Sequence, residues 1–249
     1  MPECLYHGTS AVRLESIKKK GIVPRIKSRV EGNWTHTVKS NRNSVYLTDA
    51  YAWHFAACAS STEENGLILE IDKDQLFTWL LCPDEDALEQ GTRTLIGPNF
   101  APTNWGMLKR TKFYRKIAPL NPHLADESLK VMGTCGYYGI IPWSAVTRYV
   151  TIDWKKLDPS LRMQAIDSQV SIANYKFLQD RHKAFTRWFF GDEVNAGEVT
   201  GYDLEKLLTK RNETEDAVEI TAVLEQQNKR MAEAMANRIG LQVVEVKND

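Results

Sequence analysis

The chain has 249 residues, and its 32 Lys and Arg offset 32 Asp and Glu, so it is formally neutral at pH 7. That length allows one large domain or two small ones. The balance of charge excludes a global polyelectrolyte attraction to nucleic acid or to an anionic membrane. Cys4, Cys58, Cys82 and Cys135 stand apart with no Cys-x-x-Cys spacing, which argues against a zinc site or a disulfide scaffold and fits a reducing cytoplasm. Met1-Pro2-Glu3-Cys4 carries no basic and apolar leader. No apolar run is long enough to span a bilayer, so a membrane partner is not expected.

The first patterned stretch runs from Leu5 to Pro24. Cys4-Leu5-Tyr6 reads as the end of a strand, His7-Gly8-Thr9 follows, and Ser10 is a good helix N-cap. Val12, Leu14 and Ile17 recur near helical spacing, with Lys18, Lys19 and Lys20 toward water. Gly21 sits where a terminal glycine belongs, and Pro24 blocks a restart. A His-Gly pair is thus predicted at a strand-to-helix junction. Glycine there lets the main chain approach a ligand, and histidine offers a ring nitrogen to a hydroxyl.

Residues 25–44 read as a polar, basic loop with Arg25, Lys27, Arg29 and Arg42 as candidate phosphate ligands and Trp34 and His36 as candidate covers. Ser44 to Thr48 is a strand containing Tyr46. Asp49 then caps a helix from Ala50 to about Ser60, on which His54 has either a packing or a catalytic role. Asn65-Gly66 turns into Gly66–Asp72, a mostly apolar and therefore central strand. Asp74 to Leu81 reads as a helical turn, and Cys82 to Asp86 as a break that caps a short helix to Gln90.

Residues 91–124 are rich in Pro, Gly, Asn and Thr and read as an irregular insertion. Within it, Leu108 to Lys116 interleaves Lys109, Arg110, Lys112, Arg115 and Lys116 with Phe113 and Tyr114. Such a segment can follow a phosphate backbone and stack a base, or it can be a solvated face with two rings turned inward. Residues 128–153 read as β-rich, with Ser128 to Gly133 as the first strand. From Asp158 to about Phe190 the pattern is helical, with further helices at 202–208 and 214–239. Leu241 to Val246 reads as a terminal strand or an extended docked segment.

Tyr6-His7-Gly8-Thr9, the helix and Gly21-Ile22-Val23-Pro24 resemble the first motif of the ADP-ribosyltransferase-fold superfamily. That superfamily includes poly(ADP-ribose) polymerases, DNA-targeting ADP-ribosylating toxins and RNA 2′-phosphotransferases. The Tyr46 strand with its Ala-rich helix resembles the second motif, and Gly66-Leu67-Ile68-Leu69 resembles a strand of its sheet. The resemblance implies an α+β fold, a split β-sheet core with helices over residues 1–155; the helical pattern after it reads as a C-terminal appendage over 156–249. That appendage is either a substrate-holding subdomain or a cover over the sheet.

The resemblance implies breakage of the nicotinamide N-glycosidic bond of NAD through an oxocarbenium-like transition state. His7 would bond a ribose hydroxyl, the Gly8 backbone would hold the carboxamide, Thr9 would support that turn, and Tyr46 would stack on the base. Arg25 would bind phosphate. Many members carry a glutamate on a strand that here falls between Thr134 and Tyr138, where there is no carboxylate. Glu127 and Asp153 are the nearest, and Asp49 is the catalytic candidate to replace it. The expected product is ADP-ribose on a nucleic acid, or on a protein. The alternative is a DNA glycosylase that needs no NAD and takes a flipped base between Tyr46 and His7. An RNA phosphotransferase and a silent binding module for ADP-ribosyl groups also stay open, in a toxin, a modification enzyme or an antiviral defence protein.

Overall fold

A computed structural model describes residues 4–28, 41–61, 63–90, 101–102, 104–157, 176–194 and 240–246. It is an α+β structure built on a seven-stranded antiparallel sheet in the order β4-β5-β2-β1-β3-β6-β7. The strands are β1 Cys4–Ser10, β2 Val45–Thr48, β3 Gly66–Asp72, β4 Leu81–Pro83, β5 Thr134–Tyr137, β6 Val146–Ile152 and β7 Leu241–Glu245. β1 pairs along all seven residues with β3, from Cys4 opposite Asp72 to Ser10 opposite Gly66. With β2 it registers at Tyr6 opposite Thr48. Two strand groups, β4-β5-β2 and β1-β3-β6-β7, therefore meet at a narrow seam. His7-Gly8-Thr9 lies inside β1 and not at a junction, because β3 supplies partners to its end.

Period-two alternation sends the two faces of the sheet to different cores. Leu5, Leu47, Leu67, Leu69 and Ile71 face one core, closed by Ile17 of α1 (Leu14–Lys20) and Leu129 of a later helix. Tyr6, Ile68, Val150 and Ile152 face the other, closed by α3 (Ala52–Ala59) and the C-terminal aromatics Phe185, Trp188 and Phe189. β3 is buried on both faces, which explains its apolar run. Its buried acid, Glu70, is held by Arg148 at 2.8 Å. A third cluster joins α4 (Glu85–Gln90) to α5 (Met107–Ile117) through Leu88 and Tyr114. A single turn, α2 (Arg25–Ser28), follows Pro24.

Two sequence expectations change. Ser128 to Met132 is not a strand but part of α6, Ala125–Met132. Asp126 and Glu127 suit its first turn, and Gly133 at φ 68° ends it. The supposed irregular insertion contains α5, whose Thr111, Tyr114 and Ala118 bury one stripe. The described part of 156–249 takes one of the two roles expected of it, a cover over the sheet. After the short α7 (Trp154–Leu157), α8 (Lys176–Phe189) covers one face of the sheet, and β7 extends it by pairing with β6. The helices expected at 202–208 and 214–239, with residues 158–175, lie outside the described residues.

Candidate functional site

At the seam between β1 and β2, His7 Nδ1 lies 3.0 Å from the Tyr46 carbonyl oxygen. A carbonyl only accepts, so Nδ1–H is the donor, and the neutral ring presents Nε2 as an acceptor. Among the described residues Nε2 has no partner. Burial lowers the His7 pKa; the hydrogen bond to the Tyr46 carbonyl opposes it in part, and the Arg13 charge adds a smaller push downward. The neutral ring is thereby favoured.

Arg13 closes the short 3₁₀ turn Ala11–Arg13, which Ser10 caps by accepting from the Val12 amide at 3.4 Å. Its Nε is enclosed and has no hydrogen-bond partner. Among the described residues its guanidinium makes no ion pair. Arg13 as a whole is half-buried, so its buried Nε–H is a donor left for a partner that reaches the site. This residue escaped sequence reasoning, although an arginine six positions after the key histidine was a usable signal.

The other side of the seam holds a polar network. The half-buried Tyr46 donates its hydroxyl to Glu85 Oε1. The Asn41 amide points at both, 2.7 Å from the Tyr46 hydroxyl and 3.0 Å from Glu85 Oε1. Asn41 Nδ2 bonds the Tyr138 hydroxyl. Arg115 Nε stands 3.8 Å from Glu85, an ion pair without a hydrogen bond. Burial, followed by the charges of Glu85 and Asp84, pushes the Tyr46 phenol well above its usual range, so it is a neutral donor. Burial beside Glu85 and Asp86 likewise raises the Asp84 carboxyl well above its usual range.

β5 carries no carboxylate, as its sequence showed, yet Glu85 brings one to Tyr46. It comes from the first turn of α4, directly after β4, the neighbour of β5. Glu85, Asn41 and Tyr138 were not singled out from the sequence. The acid run Asp84-Glu85-Asp86 at a strand end was their only visible mark.

Other expected residues stand elsewhere. Asp49 does not cap α3: Thr48 Oγ1 accepts from the Ala50 and Tyr51 amides at 3.0 and 2.8 Å. Asp49 instead binds α8, through Lys183 at 2.6 Å and Gln179 at 3.2 Å. Gly8 is needed against α3, because a Cβ there would lie 2.1 Å from the Ala52 oxygen. Thr9 is a buried strand residue opposite Leu67 and supports no turn. Arg25 is half-buried at the start of α2, and Arg42 is exposed. His54 is buried with Nε2 3.7 Å from Cys58 Sγ, as its packing role implies. Arg29, Trp34 and His36 lie outside the described residues.

The basic segment divides. Tyr114 is 1% exposed and cannot stack a base. Arg115 turns inward to Glu85, and Arg110 is half-buried. Lys109 and Lys112 are exposed, and Lys109 Nζ sits 4.0 Å from the Trp105 ring centre. Among the described residues no group of three or more His, Cys, Asp or Glu could hold a metal ion, and no helix is long and apolar enough to cross a membrane. No family model matches the chain, nor does any curated protein or solved structure.

Proposed function

We propose that the chain is an ADP-ribosyltransferase that breaks the nicotinamide N-glycosidic bond of NAD and passes ADP-ribose to a nucleic acid, or to a protein. The observation that carries this reading is the pairing of His7 with Tyr46 across the seam. The resemblance assigns those two residues to one nucleotide, and they are 39 positions apart in the chain. Three features support it further. His7 Nε2 is an acceptor suited to a ribose hydroxyl. Arg13 is a half-buried cation whose Nε–H has no hydrogen-bond partner, suited to the pyrophosphate of NAD. Glu85 is a buried acid behind the Tyr46 hydroxyl, suited to favour the positive charge that grows on the ribose as the base departs.

The test is incubation of the whole protein with NAD labelled in its adenosine half, in the presence of DNA, RNA and protein. Nicotinamide release with label on a macromolecule is expected, and the labelled fraction names the acceptor. Alkali-labile abasic sites in DNA formed without NAD would replace this reading by the glycosylase.

A further inference from the structure

α5 carries charge without accessible rings. Lys109, Lys112 and Lys116 are exposed along it, and none makes an ion pair among the described residues. Its aromatic residues face inward, Phe113 packing between Trp105 and the buried Tyr114. Accessible rings stand on a different turn. Phe77 and Trp79 are 57% and 64% exposed. They stack on each other with centroids 4.6 Å apart and planes 25° from parallel.

The turn that holds them is fixed from below. Leu76 is buried, the Phe77 carbonyl accepts from the Leu80 amide at 2.9 Å, and the Leu80 carbonyl accepts from the Tyr138 amide at 2.8 Å. This turn packs on the 3₁₀ turn Pro122–Leu124, which follows α5 by way of Ala118–Leu120. The lysine row and the ring pair are thus joined by a few residues of ordered chain. The same Tyr138 bonds Asn41, which bonds Tyr46 and Glu85, so a run of hydrogen bonds links the turn to the candidate site.

We infer that Phe77 and Trp79 are a stacking platform for the unpaired bases of a single-stranded nucleic acid, with Lys109, Lys112 and Lys116 along its phosphates. The charge pattern favours this occupant over an apolar protein face: the exposed rings are few, and the helix that leads into the turn beneath them carries three exposed lysines without ion-pair partners among the described residues. Every base offers a π-face and every phosphate a charge, so recognition is tolerant of sequence. The role of that strand as acceptor rests on the proposed transfer reaction, whereas the binding itself does not.

Binding of a short fluorescein-labelled oligothymidylate to the full chain, followed by anisotropy at several salt concentrations, tests it, with oligouridylate and a duplex alongside. The pair Phe77→Ala and Trp79→Ala, both exposed, should weaken binding about tenfold or more with an unchanged salt slope. Glutamine at 109, 112 and 116 should flatten the log–log salt slope by roughly 2. The duplex should bind less well than the single strand. Absence of binding by the natural chain, full affinity in the ring variant, equal preference for duplex, or self-association that the ring variant abolishes would each overturn the platform. Absence of nicotinamide release from NAD, with oligonucleotide binding intact, overturns the transferase reading and leaves the platform standing.

Discussion

Alanine in place of Gly8 is expected to push α3 off β1, whatever it does to a ligand. An ideal Cβ at this position would lie 2.1 Å from the Ala52 oxygen, 2.6 Å from the Ala56 nitrogen and 2.8 Å from the Phe55 Cβ. Two of these are backbone atoms and cannot rotate away. Ordinary contact begins near 3.4 Å, so the helix must retreat by about 1.3 Å at its closest point. It cannot retreat alone, because Ala52, Trp53 and Ala56 interlock with Tyr6, Ile68 and Phe185 in one core. Overpacking of this kind costs about 1–3 kcal/mol, and backbone clashes place it near the upper end. In a chain of this size each kcal/mol moves the melting midpoint by about 2–4 °C, so a loss of roughly 5–10 °C is expected. Far-ultraviolet circular dichroism gives the midpoint, and nicotinamide release measured well below it gives the activity of the folded fraction. An unchanged midpoint with lost activity would refute the packing account and return Gly8 to the role of bringing the main chain close to a ligand.

Arg13→Ala should leave the melting midpoint unchanged or raise it, since the guanidinium has no partner to lose. It should raise the KM for NAD about ten- to hundredfold; an unaltered KM removes it from the site. Glu85→Gln keeps an acceptor for Tyr46 but removes the charge, so kcat should fall about ten- to hundredfold while KM holds, and a full rate would exclude the carboxylate. Asp84→Asn should raise the midpoint by a few degrees. Because its folded pKa lies above the unfolded value, the natural chain loses stability as pH rises through that window, and the variant should flatten the loss in melts across pH. For His7 the sign reverses. Its folded pKa lies below the ordinary histidine value of about 6.5, so the unfolded chain binds the extra proton first and stability falls as pH drops below about 6.5. His7→Gln should remove that part of the acid slope, and an identical slope in the variant would show that the ring is not protected from protonation.

Local signals were legible wherever one element carried its own punctuation. Gly66–Asp72 is apolar on both faces because it is central, and it forms β3 as its composition implied. The Ser10 cap, the Gly21 stop at φ 74° and the strands at 45–48 and 146–152 follow from residues within a few positions of each end. Ser128 to Met132 was misread because Leu129 and Val131 alternate like a strand over a short window. The acids at 126 and 127 and the glycine at 133 were the better guides. The rings of 108–116 were ambiguous for a similar reason. Phe113 and Tyr114 sit among cations in sequence, but helical geometry turns Tyr114 inward and leaves Lys109 and Lys112 outside.

The seam itself could not be read from any single stretch. His7 and Tyr46 announce themselves by motif, but what they need to be a site comes from elsewhere. Asn41 and Glu85 meet the Tyr46 hydroxyl across separations of 5 and 39 positions, and Tyr138 joins through Asn41, 97 positions away from it, as the sheet order β4-β5-β2 requires. A search for an acid along β5 fails because strand position and spatial position are different things. β5 pairs with β2 on one side and β4 on the other, so a residue just past the end of β4 can approach Tyr46 although its own strand does not touch β2. The carboxylate in this protein lies beside the expected strand and not on it. In its buried place it accepts from one amide and one phenol and faces a nearby guanidinium. A stability role alone would be served as well by an apolar side chain of similar size, because a buried charge is costly even when paired. That cost is what supports the proposed role of Glu85 at Tyr46.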